Sequence, residues 1–318
     1  MAAMALQNGD LARLSAGIIK SGSKSFAAAS RLFDPQTRVS AHLLYAWCRH
    51  CDDVIDGQEL GSPARTSAPH DPHAELAKLR ALTTDALAGK AMAEPVFQAF
   101  QAVMAQHQIP ARLAFEHLDG FAMDVDGRSY AGIDDTLSYC YHVAGVVGVM
   151  MAHIMGVRDD PTLDRACDLG LAFQLTNIAR DIVDDAKAGR CYLPAAWLSD
   201  AGLTRQNFAD AANRAALFGV AKRMIELAET YYDSAAIGMA ALPLRSAWAI
   251  GTARAVYHEI GREIVRRGPA AWDRRVSTSK GQKIGGALDG GIAAVRACFG
   301  SRHATPPSRK ALWQRPSH

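Results

Sequence analysis

The chain has 318 residues, of which 49% are hydrophobic, which is enough to bury a large core. Its formal net charge is only +3, from 35 Lys and Arg against 32 Asp and Glu, and no basic block is interleaved with aromatic residues, so the sequence does not indicate a nucleic-acid binder. The N-terminus lacks a signal-peptide pattern and the six cysteines are spread out, so we expect a cytoplasmic protein with reduced thiols.

Helical periodicity dominates the predicted secondary structure. No stretch alternates in the manner of a sheet, and Pro or Gly marks helix boundaries near 33–37, 109–112, 193–197 and 242–246. We therefore expect an all-α domain of about a dozen helices over residues 1–300, built as a single bundle. The basic, Pro-rich residues 301–318 are predicted to form a flexible tail.

The first acid cluster continues the apolar face of a predicted helix, "TRVSAHLLYAWCRHCDDVID". Asp52 and Asp56 follow Cys48 at helical spacing, and Asp53 lies alongside. A Gly-, Pro- and Ser-rich loop over 57–73 follows directly, and loops of this length are usually functional or disordered.

A cysteine pair and an apolar run each have a simple structural explanation. Cys48 and Cys51 form a CxxC without a second pair, whereas zinc needs about four ligands, so buried small residues are favoured. The run "VAGVVGVMMAHIMGV" falls short of the ~20 residues that a membrane-spanning helix needs. We interpret it as a buried core helix.

A second acid cluster repeats the pattern of the first. Asp181 and Asp185 are four residues apart and extend an apolar face that also carries Gln174 and Asn177, while Asp184 crowds in beside them. A solvated acidic face would explain one such cluster. Two clusters that both continue apolar faces favour buried carboxylates, which must be paired or bound to metal.

Carboxylate and amide oxygens suit Mg²⁺ or Mn²⁺. A di-iron bundle is disfavoured because no E-x-x-H motif is present. Arg49 and Arg180 could bind a phosphate oxyanion, although each could instead neutralise a neighbouring aspartate. The two clusters therefore predict opposite walls of a metal–diphosphate site at the end of an apolar cavity.

Longer motifs make the chain similar to a known family. The stretches "SGSKSFAAASRLF", "LYAWCRHCDDVIDG", "YCYHVAGVVG", "LGLAFQLTNIARDIVDDA" and "GRCYLPAAWL" resemble the squalene/phytoene synthase family over roughly residues 20–265. The resemblance implies an all-α isoprenoid synthase fold with a central apolar cavity. It also implies Mg²⁺-dependent, head-to-head joining of two geranylgeranyl diphosphates through a cyclopropyl diphosphate to phytoene, without NADPH.

The resemblance also implies roles for individual residues. Metal binding falls to Asp52, Asp56, Asn177, Asp181 and Asp185. Catalysis falls to the same four aspartates and to Tyr139, which would act near the cation. Substrate contacts fall to Ser23, Ser25, Phe26, Arg49, Ala144, Gly148, Gln174, Asn177 and Arg180. For the glycine among the small residues, close helix packing is an equally good explanation.

Several alternatives remain at this point. A terpene cyclase usually carries one Asp-rich motif and one Asn/Ser/Glu-type motif, unlike the symmetric pair here. Dehydrosqualene or squalene synthase activity on farnesyl diphosphate is the main alternative within the family. A non-enzymatic scaffold would be expected to lose the aspartates, and the "SGSK" and "STSK" stretches lack the further motifs of penicillin-binding proteins.

The implied partners are two prenyl diphosphates and other enzymes of the carotenoid pathway. Since substrates and product are long hydrocarbons, we also expect peripheral contact with a membrane surface. Basic residues such as Arg266, Arg267, Arg274 and Arg275 and those of the tail could face anionic lipid, although a solvated surface explains them equally well.

Overall fold

The computed structural model describes residues 24–59, 62–63, 70–300 and 308–316, and helices form most of its regular structure. Within these residues the α-helices are α1 Lys24–Ala29, α2 Pro35–Ile55, α3 Pro72–Leu87, α4 Pro95–His107, α5 Ala111–Val125, α6 Ile133–Cys140, α7 Val146–Ile154, α8 Asp160–Lys187, α9 Ala195–Asp200, α10 Arg214–Gly238, α11 Leu244–Arg267 and α12 Lys280–Phe299. Short 3₁₀ turns cover Ser30–Leu32, Ala211–Asn213, Met239–Ala241 and Gly268–Trp272, and a π-helical turn, Tyr141–Gly145, joins α6 to α7. The all-α prediction is confirmed.

The predicted loop over 57–73 contains a small hairpin. Strands β1 Gln58–Glu59 and β2 Ser62–Pro63 pair antiparallel directly after the first acid cluster. Residues 60–61 and 64–69 of this loop lie outside the described part of the chain.

Proline and carboxylate caps set the helix starts that position the site. Asp34 precedes Pro35 and accepts hydrogen bonds from the backbone of Gln36 and Thr37, each at 3.0 Å, which fixes the start of α2. Asp159 caps α8 in the same way through the amide of Thr162. The four proline boundaries expected from the sequence all fall at helix starts, those of α2, α5, α9 and α11.

The long helix α8 lies at the centre of the core, and close helix packing determines where it sits. A Cβ atom at Gly170 would lie 2.4 Å from the carbonyl oxygen of Ala144, and one at Gly148 would lie 2.4 Å from that of Ala166. Only glycine allows the backbones to approach so closely. Of the two explanations left open for Gly148, the contacts therefore support close packing, although the residue also borders the cavity described below.

The apolar run near residue 150 belongs to a longer helical stretch than the sequence predicted. Ile133–Ile154 is continuous over 22 residues, and its most apolar 18-residue window has a mean hydropathy of 1.4, so by length and composition it could cross a membrane. However, 61% of its most apolar window is buried inside the fold. This burial supports the interpretation as a core helix.

The expectation of a flexible tail does not fit residues 308–316. Arg309 binds the buried carboxylate of Asp168 through Nε at 2.7 Å and Nη2 at 2.6 Å, and Arg315 binds Asp164. The ring of Trp313 packs against Tyr141 at 5.4 Å between centroids. Composition alone could not show these contacts, because they join the tail to residues far away in the sequence. Asp164 and Asp168 lie on α8, and Tyr141 lies in the π-helical turn.

The Arg309–Asp168 pair gives the first prediction. The substitution Arg309→Met should lower the free energy of unfolding by about 3–5 kcal/mol, because it leaves the buried Asp168 carboxylate without its counter-ion. Chemical denaturation followed by circular dichroism measures the change. The matched control Lys310→Met alters the exposed neighbour and should be nearly neutral. Equal stability of the two variants would show that the tail does not hold α8.

Candidate active site

The two acid clusters end the two helices that border one end of a large cavity. Asp52 and Asp53 lie in the last turn of α2, with Asp56 just beyond it, and Asp181 and Asp185 lie near the end of α8. The Asp181 side chain is 17% exposed, and Asp184 is 58% exposed and pairs with Lys187. The structure thus turns Asp184 towards solvent, away from the face that carries Asp181.

Arginine side chains neutralise part of this charge. Arg49 binds Asp52 at 2.7 Å and Asp53 at 2.6 Å. Arg180 binds Asp181 through two nitrogens, at 2.8 and 2.5 Å. Both arginines therefore pair with neighbouring aspartates, as the simpler sequence interpretation had it.

Two further arginines were not identified from the sequence as site residues. Arg190 binds Asp56 at 2.5 Å, and its positive charge also acts on Asp185, where it partly opposes the rise of the pKa. Arg190 therefore interacts with both acid clusters. Arg275 binds Asp181 at 3.1 Å. The motif "GRCYLP" contained Arg190, but nothing in the sequence shows a contact that spans 134 residues.

The remaining negative charge is not fully compensated. Burial, with Asp56 and Asp53 nearby, raises the pKa of Asp52 to about 6 despite Arg49. Burial and the charge of Asp181 raise the pKa of Asp185 to about 7. At Asp181 burial acts in the same direction, but Arg180 and Arg275 outweigh it and hold the pKa below its usual range. Ionised Asp52 and Asp185 therefore favour an additional cation.

A tyrosine–aspartate group lies beside the clusters. Tyr139 donates a hydrogen bond to Asp124 Oδ2 at 3.0 Å, and Tyr192 donates to Asp124 Oδ1 at 2.9 Å. The two rings stack with centroids 4.6 Å apart. Asp124 therefore fixes the predicted residue Tyr139, with its ring at the cavity wall; Asp124 and Tyr192 were not identified from the sequence.

The cavity has a volume of about 780 Å³ and a mainly apolar wall. Phe26 stacks on Tyr45 with ring centroids 4.8 Å apart, and α11 contributes Ile250 and Tyr257. The predicted site residues that line this cavity are Phe26, Arg49, Asp52, Tyr139, Ala144, Gly148, Gln174, Asn177 and Arg180. The wall is thus mainly apolar, and Arg49, Asp52 and Arg180 bring the charge of the two acid clusters to it.

The other predicted residues lie outside this lining. Asp56, Asp181 and Asp185 are not part of the cavity wall. Asp181 is joined to the wall by Arg180 and Arg275, which both line the cavity, whereas Arg190, the partner of Asp56, does not line it. Ser23 lies outside the described residues, as does the side chain of Ser25.

The donor set fits an oxygen-preferring divalent cation. Asn177 Oδ1 is buried without a hydrogen-bond partner, while the amide nitrogen of Asn177 faces Gln174 Oε1 at 3.4 Å. A buried carbonyl oxygen without a partner is costly unless something else satisfies it. No group of three acidic, His or Cys side chains among the described residues is already close enough to hold a metal, so carboxylates from both helices would have to close around it.

Comparisons with known proteins agree with this arrangement. The family model described as squalene/phytoene synthase matches residues 19–282. A 15-cis-phytoene synthase from Pantoea ananas is 58% identical over 295 residues, which cover 93% of this chain and 94% of the relative. A second 15-cis-phytoene synthase, from a Paracoccus species, is 50% identical over 97% of this chain and 99% of its own length.

Solved structures show the same fold. A dehydrosqualene synthase in complex with ligand superposes with a TM-score of 0.80 at 25% identity, covering 89% of this chain and 96% of that one. A squalene synthase from Alicyclobacillus acidocaldarius, at 22% identity, gives a TM-score of 0.70 over 82% of this chain and 95% of its own.

The raised pKa of Asp185 predicts a pH dependence of the metal-free protein. The ordinary pKa is 3.8 and the folded value about 7, so between them the folded state keeps a proton that the unfolded state releases. The free energy of unfolding should therefore fall as the pH rises through this window, and Asp185→Asn should reduce the fall. Urea denaturation in EDTA at about pH 5 and about pH 8 measures it. Asp184→Asn is the matched control, and an Asp185→Asn profile identical to that of the unmodified chain would contradict the assignment.

Proposed function

The chain belongs to the squalene/phytoene synthase family, and we propose that it joins two geranylgeranyl diphosphates head to head into phytoene, with release of two diphosphates, in carotenoid biosynthesis. It is a transferase of the 15-cis-phytoene synthase type. The observation that supports this most directly is that Asp52 and the arginines that bind the two acid clusters, Arg49, Arg180 and Arg275, line a mainly apolar cavity. The high identity to phytoene synthases favours the C20 substrate over the C15 substrate of the dehydrosqualene synthase alternative.

Magnesium is the proposed cofactor, with Mn²⁺ as a substitute. Asp52, Asp56, Asn177, Asp181 and Asp185 would hold it. When bound, the metal supplies positive charge that stabilises the departing diphosphate. No NADPH is required, because the proposed product forms by loss of a proton and not by reduction.

The arginines of the chain position the diphosphate groups. Arg49 and Arg180 line the cavity, and each is held by aspartates that a dianionic ligand would compete with. Because a planar guanidinium binds phosphate oxygens in a bidentate manner, these two residues can orient the leaving group at the charged end.

The apolar wall protects the reacting hydrocarbon. The side chains of Phe26, Phe173 and Tyr139 line this mainly apolar space, and under the proposed function they would keep water away from the reacting carbon atoms. An allylic cation formed there cannot be captured by water, and aromatic faces attract cations. The hydroxyl of Tyr139 is held by Asp124, so its ring stays in place during the reaction.

The role of the aspartates gives the central prediction. Asp52→Asn and Asp181→Asn should each lower turnover by at least about a hundredfold, because each removes a charge needed to hold the cation at the leaving group. Purified protein is incubated with Mg²⁺ and either C15 or C20 diphosphate, without NADPH, and the hydrocarbons are analysed. EDTA should stop the unmodified enzyme and Mg²⁺ should restore it.

The matched control is Asp184→Asn, which changes the exposed acid of the same cluster and should retain turnover. Near-normal turnover of Asp52→Asn would contradict the metal assignment. A C30 product from the C15 substrate alone would change the function to that of a dehydrosqualene synthase.

Chain-length preference is expected to depend on Ala144. Ala144→Leu should shift the C20-to-C15 ratio of kcat/KM by at least about tenfold towards the shorter substrate, because it fills part of the cavity wall. Gly148 is unsuitable for this test, since a side chain there meets the backbone of α8. Competition assays with both substrates measure the ratio, with Ala215→Leu on the exposed face of α10 as control. An unchanged ratio in folded Ala144→Leu would show that this position does not limit chain length.

A further inference from the structure

An exposed apolar surface on the last two long helices is not used by the proposed reaction. Among the described residues, every large hydrophobic side chain that is strongly exposed lies on α11 or α12. Five of the eight form one stripe on α12, separated by four, four, three and four residues and therefore on one face. This α12 stripe consists of Ile284, Leu288, Ile292, Val295 and Phe299, with exposures of 52 to 73%.

The opposite face of α12 is already occupied by internal packing. A Cβ atom at Gly290 would lie 2.4 Å from the amide nitrogen of Thr252, and one at Gly286 would lie 3.1 Å from a methyl group of Val256. The helix is therefore fixed against α11 through its glycines. Since this inner face already anchors the helix, internal packing does not explain the outward stripe.

The stripe continues onto α11 at its edge. Trp248 is 38% exposed, its Nε1 donates to the carbonyl of Ala287 at 2.7 Å, and its ring lies against Gly291. Leu244, one turn earlier, is 41% exposed. The result is a contiguous apolar surface bordered by an indole ring, and monomeric soluble proteins rarely expose large surfaces of this kind.

The charges on α12 favour an anionic partner. Three basic residues, Lys280, Lys283 and Arg296, stand against one acidic residue, Asp289, so the helix carries a formal charge of +2. Arg296 is exposed directly beside Val295. An apolar face with a basic border is typical of helices that lie in the plane of a bilayer surface.

The position of the surface relative to the cavity also favours lipid. The helix α11 contributes Ala249, Ile250 and Ala253 to the cavity wall, and α12 packs on α11 through Gly251 and Thr252. The apolar surface is thus one helix away from a cavity that, under the proposed function, takes up C20 chains and releases a C40 hydrocarbon. Molecules of that kind reside in a bilayer.

We propose that the α12 stripe, with Trp248 and Leu244 at its edge, docks the protein on the surface of an anionic lipid bilayer. The proposal rests on the proposed function for its choice of lipid over protein. The five apolar side chains enter the boundary between headgroups and acyl chains, and the basic residues contact lipid phosphates. Docking places the cavity next to the bilayer that holds substrate and product.

Vesicle flotation of the full chain tests the proposal without any substrate. The protein should float with phosphatidylcholine vesicles that contain phosphatidylglycerol, and more weakly with phosphatidylcholine alone. The double substitution Leu288→Ser and Ile292→Ser should lower the partition coefficient by about tenfold or more, because two exposed apolar anchors are lost. The matched control Val265→Ser removes an exposed apolar residue of α11 that is surrounded by charged side chains and should leave binding unchanged.

Each other outcome overturns the docking surface. Equal flotation of the double variant would place bilayer contact elsewhere. A full chain that stays in the aqueous fraction with both vesicle types would show that another segment covers the stripe. A concentration-dependent dimer in light scattering that the double variant abolishes would make a second copy the occupant.

Turnover in detergent micelles separates this test from that of the proposed function. The double variant should convert the C20 diphosphate at the unmodified rate there, because its substitutions lie outside the cavity wall. If even the unmodified chain makes no hydrocarbon in micelles, the proposed function fails independently of the flotation result.

Discussion

The structure depends above all on the balance of charge at one end of an apolar cavity. Several carboxylates are brought there by α2 and α8, and carboxylates withdrawn from water cannot all stay ionised unless cations compensate them. Arg49, Arg180 and Arg190 compensate a part of this charge, while burial and the neighbouring aspartates still raise the pKa values of Asp52 and Asp185. Under the proposed function, a divalent cation would compensate the rest of this charge, and the phosphate oxygens of the substrate would give each arginine a second partner.

The same constraint extends along the whole of α8. Its first half carries Asp160, Asp164 and Asp168, which Arg309 and Arg315 neutralise from the end of the chain. Its last turns carry the second acid cluster, which internal arginines neutralise. Between these two regions, Gly170 of α8 packs against Ala144 and Gly145 in the π-helical turn that precedes α7, which fixes the position of α8 in the core. The position of Asp181 and Asp185 therefore depends on packing and ion pairs more than ten residues away from them.

The sequence predicted what depends on periodicity and missed what depends on distant contacts. Helical periodicity was enough to predict the helical fold, and two DxxxD patterns that continue apolar faces predicted carboxylates near a cavity, whose wall includes Asp52. Arg190 could not be paired with Asp56 in this way, because their contact joins separate elements. The contacts of residues 308–316 were missed for the same reason, since their composition gives no sign that Arg309 reaches Asp168. At Gly148 the sequence left packing and cavity lining open, and the structure shows both, since the residue borders the cavity and a Cβ atom there would lie 2.4 Å from the Ala166 carbonyl oxygen.

Deviations from a simple pattern of apolar core and polar surface coincide with function in this fold. At the acid clusters, polar residues continue an inward face, and the cost of burying them is offset by arginines and, under the proposed function, by metal and diphosphate. At α12 the deviation has the opposite sense, because apolar residues continue an outward face whose inner counterpart is already packed. Buried carboxylates have lost part of their hydration, and exposed apolar side chains are in unfavourable contact with water. The acid clusters lie beside the cavity, whereas the α12 stripe lies one helix outside the cavity wall. Under the proposed function, this arrangement matches ligands that have one charged end and a long apolar chain.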